Sequence, residues 1–346
     1  MLQVDDADFL SYSLTIILEV GDDVSTKDEV LAILEQKKTE NISGQKIAEI
    51  LGVSRTAVWK AINTLKEDGY KIHSTPSAGY RLLEPSDSLN TAAILPLVQR
   101  RLNVETFQTI DSTNAEAKRR LNNHPDEDFL IISEHQEAGR GRLGRTFYSP
   151  PRTGIYMSLA LHELSPNSDA TLLTTAAAVA VCQAIEELTT LKPQIKWVND
   201  IFIDGKKVCG ILTEGILSLE TQTIQSIILG IGINVLEDEH LPEDLQPIVG
   251  ALFSGESTVS RNTLAASIIN HFYAVYETME TGAFLDDYRD RCFVLGKSVS
   301  FIKNKQTYRG IATGIDDAGA LEILLEDQTR TKISYGEISI DWRGTK

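Results

Sequence analysis

The apolar residues of this chain change their spacing twice, and the three spacings call for three separately built modules. Up to about residue 68 they recur at helical period. Between about residues 90 and 295, strand-like and helix-like runs alternate. From Gly296 onward only strand signals remain. A length of 346 residues allows two or three cores, and 42% hydrophobic with 24% charged residues is ordinary for a globular protein.

The front module reads as a winged helix-turn-helix over residues 24–85, after an unassigned N-terminal extension, 1–23. Val24–Gln36 carries Val30, Leu31, Ile33 and Leu34 at helical spacing. Ser43 can cap a helix to Leu51, and Gly52 suits the turn. Ser54 can cap a second helix, buried through Val58, Ile62 and Leu65 and ended by Gly69. Tyr70–Ile72 and Gly79–Leu83 read as a hairpin around Pro76-Ser77-Ala78. The formal net charge of the chain is -16, yet basic residues outnumber acidic ones from Lys46 to Arg81. That local reversal suits phosphate contact. Ser54, Arg55, Thr56, Lys60, Asn63 and Arg81 are the candidate DNA contacts, with Lys71 and His73 also on the wing. The competing reading is a small helical domain that binds a protein.

"EPSDSLNT", Glu84–Thr91, reads as a linker into an α/β (α+β) domain over 86–295 built on a mixed sheet. Strands are expected at Phe107–Ile110, Phe129–Ser133, Ile155–Leu161, Gln194–Trp197, Ile201–Ile203, Lys207–Glu214 and Ser226–Val235. Helices are expected from Ser112 or Thr113 to Leu121 and over Ala170–Leu188, Arg261–Met279 and Phe284–Val294. Asp204-Gly205 is a strong hairpin turn. Residues 296–346 read as an SH3-like β-barrel with strands Val299–Phe301, Tyr308–Ile315, Leu321–Leu325 and Thr331–Ile333.

The chemistry concentrates in four stretches. "EAGRGRLGR", Glu137–Arg145, contains a literal GxGxxG, but a Pro-Pro pair and a strand follow it where a dinucleotide site needs a helix. It reads instead as a loop that closes over a small anion through Arg140, Arg142 and Arg145; the alternatives are an arginine-rich surface loop or an RG segment for RNA. In "IKWVNDIFIDGKKVCGILTE", Lys196 ends an apolar strand and needs an anionic partner, and Asp200 could orient it or contact a metal. "DSTNAEAK" offers Ser112, Thr113 and Asn114 either as helix caps or to a polar ligand head. In "LGIGINV", Gly230 and Gly232 imply close approach by another group. Cys182, Cys209 and Cys292 lie far apart and suit neither a disulfide framework nor zinc. No apolar run approaches a membrane span by this reading, and a cytoplasmic protein is expected.

"DSTN", "SEHQEAGRGRLGR", "KWVNDIFIDGKKVCGILTE", "GIGINV" and "RNTLAA", in this order and at this spacing, resemble the bifunctional biotin–protein ligase and biotin operon repressor family. The resemblance covers nearly everything after Val24. It implies a biotin–[acetyl-CoA-carboxylase] ligase that uses ATP, biotin and Mg²⁺ and modifies the biotin carboxyl carrier protein. It also implies a repressor that binds operator DNA as a homodimer promoted by biotinoyl-AMP. By the same resemblance Ser112, Thr113, Asn114, Gln136, Arg140, Gly141, Arg142 and Lys196 contact biotin, with Arg142 and Lys196 catalytic. Arg142, Arg145, Trp197, Asn199, Asp200 and Asn234 fall on the nucleotide side. Val198 stands where the family usually has proline. The segment Leu236–Gly255 lacks the tryptophan that often covers the adenine, a role left to Val249 or Phe253. The alternatives are a ligase whose winged helix no longer represses, a repressor that only senses a small molecule, and a lipoate-type ligase.

Overall fold

The computed structural model describes residues 25–37, 40–67, 70–75, 79–83, 87–124, 126–162, 170–217, 224–303 and 305–340. The extension 1–23, the Gly69 cap, the Pro76-Ser77-Ala78 turn and the first part of the linker lie outside these residues. The chain divides into two compact units, Met1–Val104 and Glu105–Lys346.

The first unit holds helices α1 (Thr26–Gln36), α2 (Gly44–Leu51) and α3 (Arg55–Glu67), then strands β1 (Ile72–Thr75) and β2 (Gly79–Leu82) and a short helix α4 (Thr91–Ile94). Ser43 Oγ accepts from Lys46 N and Ser54 Oγ from Ala57 N, each at 3.1 Å, so both expected N-caps form. Gly52, at φ +65°, turns α2 into α3. Val30, Leu31, Ile47, Val58, Ile62 and Leu65 form one core with Ile72 and Leu82. The first wing strand starts two residues later than the sequence suggests. Tyr70 is buried and its N–H still closes onto Leu65 O, so the ladder begins only at Ile72.

The second unit centres on a seven-stranded sheet in the order β3-β4-β5-β9-β8-β7-β6. These strands are β3 (Asn103–Phe107), β4 (Phe129–Ser133), β5 (Gly154–Leu161), β6 (Gln194–Lys196), β7 (Asp200–Ile203), β8 (Lys206–Leu217) and β9 (Ile224–Asn234). The strands pair antiparallel from β4 to β6 across the sheet, and a parallel bridge joins Ile110 to Gln136 beside the β4 edge. The strand expected at Phe107–Ile110 thus ends where it was expected to begin, and Ile110 keeps only that bridge. Helices α5 (Thr113–Leu121), α6 (Ala170–Leu188), α7 (Arg261–Glu277) and α8 (Phe284–Arg291) cover the sheet. Contrary to the reading that no run approaches a span, α6 has the length and apolarity to cross a membrane. It is instead a core helix, with Leu173, Ala177, Val181 and Ile185 fully buried.

Arg261 at the start of α7 is 2% exposed and pairs with Glu134, 5% exposed, at 2.8 Å; it also donates to Gly154 O. This buried pair ties the end of β4 to the start of β5, next to the Gly/Arg loop. Strands β10 (Ser298–Lys303), β11 (Gln306–Ile315), β12 (Leu321–Leu325), β13 (Arg330–Ile333) and β14 (Ile338–Ile340) make a five-stranded antiparallel sheet in the order β13-β12-β11-β10-β14. The last strand was not foreseen; Ile338-Ser339-Ile340 is too short to signal itself.

Candidate active site and nucleic-acid interface

Three cavities meet around the segment that follows β4, and the ring of Phe147 lines all three. The Gly/Arg loop is a tight hairpin. Phe147 N donates to Gly139 O at 2.9 Å and Gly141 N to Arg145 O at 2.7 Å. A Cβ on Gly139 would press on Phe147 O and lie 2.6 Å from Ser149 Oγ, so only glycine fits. At the tip Leu143 (φ +55°) is 76% exposed and Gly144 has φ +76°. No helix follows, which removes the dinucleotide reading.

The first cavity, about 120 Å³, is lined by Arg140, Gly141, Arg142, Arg145, Lys196, Trp197, Asn199, Asp200 and Lys207. Arg142 donates to Asn199 Oδ1 at 2.9 Å, and Asn199 Nδ2 donates to Ile211 O at 2.8 Å. Arg145 makes a two-pronged pair with Glu337 of the C-terminal sheet at 2.5 and 2.8 Å. Asp200 does not orient Lys196. Its Oδ1 lies 2.6 Å from Lys207 Nζ, a charge contact without hydrogen-bond alignment, while Lys196 stands directly opposite on β6. The reason is geometric: after the turn at Asp204 (φ +50°) and Gly205 (φ +77°), a bulge near Ile201 brings Lys207 back beside Asp200. Trp197 is buried and its indole N–H donates to Gly319 O at 3.0 Å, anchoring the strand end to the C-terminal sheet. Tyr288 holds Val198 O at 3.0 Å, so the turn is fixed without the family's proline.

The second cavity, about 440 Å³, is largely apolar and lies on the other side of Phe147. Asn234, Leu236, Leu241, Leu245, Ile248 and Val249 line it, and Asn234 Nδ2 donates to Gly250 O at 3.0 Å. Val249 lines this cavity. Phe253 is not among the lining residues; its N–H is bound to Val235 O. Tyr148 sits at the edge and donates to Asp238 at 2.7 Å. Burial and that carboxylate push its hydroxyl up to about 12.

The third cavity, about 30 Å³, is a small, partly polar site lined by Ser112, Thr113, Asn114, Gln136, Arg140 and Phe147 over Gly210, Gly230 and Gly232. Thr113 N and Oγ1 donate to Gln136 Oε1 at 2.9 and 3.1 Å, and Ser158 Oγ reaches Thr113 Oγ1 at 2.7 Å. A Cβ on Gly232 would lie 2.6 Å from the Phe147 ring. The glycines expected to admit another group do so. Sequence reasoning missed Lys207, Phe147, Ser149, Ser158 and Glu214. Glu214 takes Lys118 Nζ at 2.6 Å and Asn114 Nδ2 at 2.7 Å. Burial would raise its pKa, but these donors overcome it and hold the carboxyl below its usual range. Lys207 and Glu214 sat inside the quoted β8 motif as charges on a largely apolar strand, which was the available signal.

On the first unit, Arg55, Thr56 and Lys60 are exposed on α3, and Asn63 is half-buried on the same side. Ser54 is spent as the cap. Arg81 lies directly opposite His73 across the wing. Trp59, 57% exposed on α3 one turn from Arg55 and from Asn63, was not singled out from sequence. Among the described residues no group of three or more His, Cys, Asp or Glu could hold a metal ion.

The comparisons agree with this layout. Residues 106–234 match the Biotin/lipoate A/B protein ligase family, 26–81 an HTH domain and 294–341 the Biotin protein ligase C terminal domain. The chain is 36% identical over 318 residues to the bifunctional ligase/repressor BirA of Bacillus spizizenii, covering 89% of this chain and 96% of that protein. It is 31% identical over 301 residues to BirA of Escherichia coli, covering 86% and 92%. Biotin protein ligase from Aquifex aeolicus, solved with biotin and ATP, superposes with a TM-score of 0.58 at 25% identity, over 69% of this chain and 98% of that one. Winged helix, glycine-floored ring pocket, arginine loop and C-terminal sheet thus occur together and in order, and the chain belongs to the bifunctional biotin protein ligase/repressor family.

Proposed function

We propose that the protein joins biotin to ATP as biotinoyl-5'-AMP, passes the acyl group to a lysine of the biotin carboxyl carrier protein, and represses biotin genes through its winged helix. The observation that carries this reading is the meeting of the three cavities at Phe147. A small, partly polar pocket, a cation-lined gap that shares residues with both neighbours, and a larger apolar cavity support subsites for ring, phosphate and adenine in that order.

In this reading Ser112, Thr113, Asn114 and Gln136 hold the ring, and Arg140 and Gly141 close over it. The biotin carboxylate attacks the α-phosphate and pyrophosphate leaves. Arg142, Lys196 and Lys207 stabilise the charge that develops there. Asn199 orients Arg142, Asp200 orients Lys207, and Arg145 links the loop to the C-terminal sheet. Trp197 holds the strand end, and Asn234 and Val249 serve the adenosine. Mg²⁺ enters as the companion of ATP. The carboxylates lining the phosphate gap, Asp200 and Glu337, are paired with Lys207 and Arg145, so an ion there would be held mostly by phosphates and water. When bound it neutralises phosphate charge. The closed loop keeps water from the anhydride until the carrier lysine arrives.

Residues 24–85 are the DNA-binding module, 86–295 the ligase and 296–346 the C-terminal module. Repression at a two-fold operator requires a dimer, promoted by biotinoyl-AMP in the cytoplasm. The test is direct. Biotin, Mg-ATP and a carrier domain must yield a biotinylated lysine, and DNA upstream of biotin genes must be protected when biotinoyl-AMP is present. No carrier modification removes the ligase; no protection at saturating ligand removes the repressor.

A further inference from the structure

The two amide side chains of the ring pocket, Asn114 and Gln136, can each sit in two orientations with oxygen and nitrogen exchanged. A ligand carbonyl meets a donor in one orientation and an acceptor in the other. The groups that decide between them lie one contact further out. Asn114 Nδ2 donates to Glu214 Oε2 at 2.7 Å, and Lys118 Nζ donates to Glu214 Oε1 at 2.6 Å. A carboxylate paired with an ammonium accepts and cannot donate, so the nitrogen of Asn114 must face it. The oxygen then points to Ser158 Oγ at 2.5 Å, over Gly230, where any side chain would collide with it.

The other end closes the same way. Ser149 Oγ donates to the backbone carbonyl of Phe147 at 3.0 Å. Its one proton is spent, so its oxygen accepts from Gln136 Nε2 at 3.0 Å. Gln136 Oε1 is left facing the backbone N–H of Thr113 at 2.9 Å, a donor that cannot reverse. Thr113, Asn114, Ser149 and Ser158 are all buried. Both amide oxygens are therefore turned to protein donors. Each amide nitrogen keeps one N–H with no protein partner among the described residues.

We propose that Glu214, kept a pure acceptor by Lys118, is a positioning residue that locks Asn114 with one N–H available to the ligand, beside a Gln136 already fixed by the Thr113 N–H. The pocket then selects a ring bearing a carbonyl acceptor over the same ring bearing a donor at that position. This rests on the reading of the pocket as the biotin site.

The experiment compares biotin with its cyclic guanidine analogue, in which the ureido oxygen is replaced by a nitrogen that donates at neutral pH. Biotin-dependent ATP–pyrophosphate exchange is measured on the full-length protein. Glu214→Gln replaces a pure acceptor by a group that can donate or accept, and Lys118→Met removes the ammonium that holds Glu214 as a pure acceptor. In each variant the KM ratio of analogue to biotin should fall about tenfold, because one buried amide can turn to suit the donor. The KM for ATP should move less than about threefold. A ratio within about twofold of wild type in both variants overturns the proposal. So does an equal rise in the KM for ATP and for biotin with the ratio unchanged, which marks a merely structural role. If Glu214→Gln does not fold, Lys118→Met carries the test. Absence of biotin-dependent exchange in the wild-type protein overturns the biotin reading itself, a result distinct from an unchanged ratio.

Discussion

Gly230→Ala should damage biotin binding out of proportion to its size. A Cβ at residue 230 would lie 3.0 Å from Asn114 Cγ and nearer still to Oδ1. In a close-packed interior the amide must retreat by roughly half an ångström or more. It cannot do so freely, since it is held between Glu214 at 2.7 Å and Ser158 at 2.5 Å. One of these bonds lengthens or breaks, and a buried polar group left short of a partner costs about 1–3 kcal/mol. The KM for biotin should therefore rise about 5- to 150-fold. In the proposed reading ATP binds beyond Phe147, away from residue 230, so its KM should hold. The assay is ATP–pyrophosphate exchange at varied biotin, with thermal unfolding alongside; a fall of about 2–4 °C per kcal/mol is the companion signal. Biotin binding within about twofold of wild type in a folded variant would refute the reasoning, because it would mean the amide is not held.

Arg142→Gly removes the bond to Asn199 across the phosphate gap, so free biotinoyl-AMP should escape and label lysines indiscriminately; mass spectrometry of bystander proteins checks it, and preserved carrier selectivity counts against the loop as gatekeeper. Trp59→Ala should weaken operator binding several-fold without changing its salt slope, whereas Lys60→Ala should lower that slope by about one, as measured by titration at several salt concentrations. Asp111 is held down to about 2 by its hydrogen bonds to Arg119, against an ordinary value of 3.8. Its folded pKa is depressed, so the stability it adds is present above about pH 4 and lost as pH falls toward 2. The melting-temperature gap between wild type and Asp111→Asn should close over that window.

Local chemistry was legible where a residue acts on its own neighbours. Ser43 and Ser54 each cap a helix through a bond that reaches three residues ahead, and Asp204-Gly205 turns a hairpin whose strands follow at once. The glycines of β9 were legible as gaps, but not what fills them. Phe147 is far from Gly232 in sequence and enters only because the loop hairpin folds back over the sheet. Glu214 and Lys118 are 96 residues apart, and nothing in either stretch names the other. Lys196 drew attention as a lysine after an apolar strand, yet the bulge in β7 gives Asp200 to Lys207. Arg145 read as an anion ligand from composition alone; its bond to Glu337 depends on the packing of β14, a three-residue strand that left no pattern. The sequence spoke for elements and for motif order, and the side-chain partnerships came from tertiary packing.

The central claim is that one closed site makes an acyl-adenylate and holds it for a carrier lysine. The most direct measurement incubates the protein with biotin and ATP labelled in the α-phosphate, removes free nucleotide, and then adds carrier domain. About one labelled adenylate per site should stay bound, and AMP should appear together with biotinylated carrier only after the carrier is added. If no labelled adenylate is retained, or AMP is released at the same rate with and without carrier, the account is contradicted.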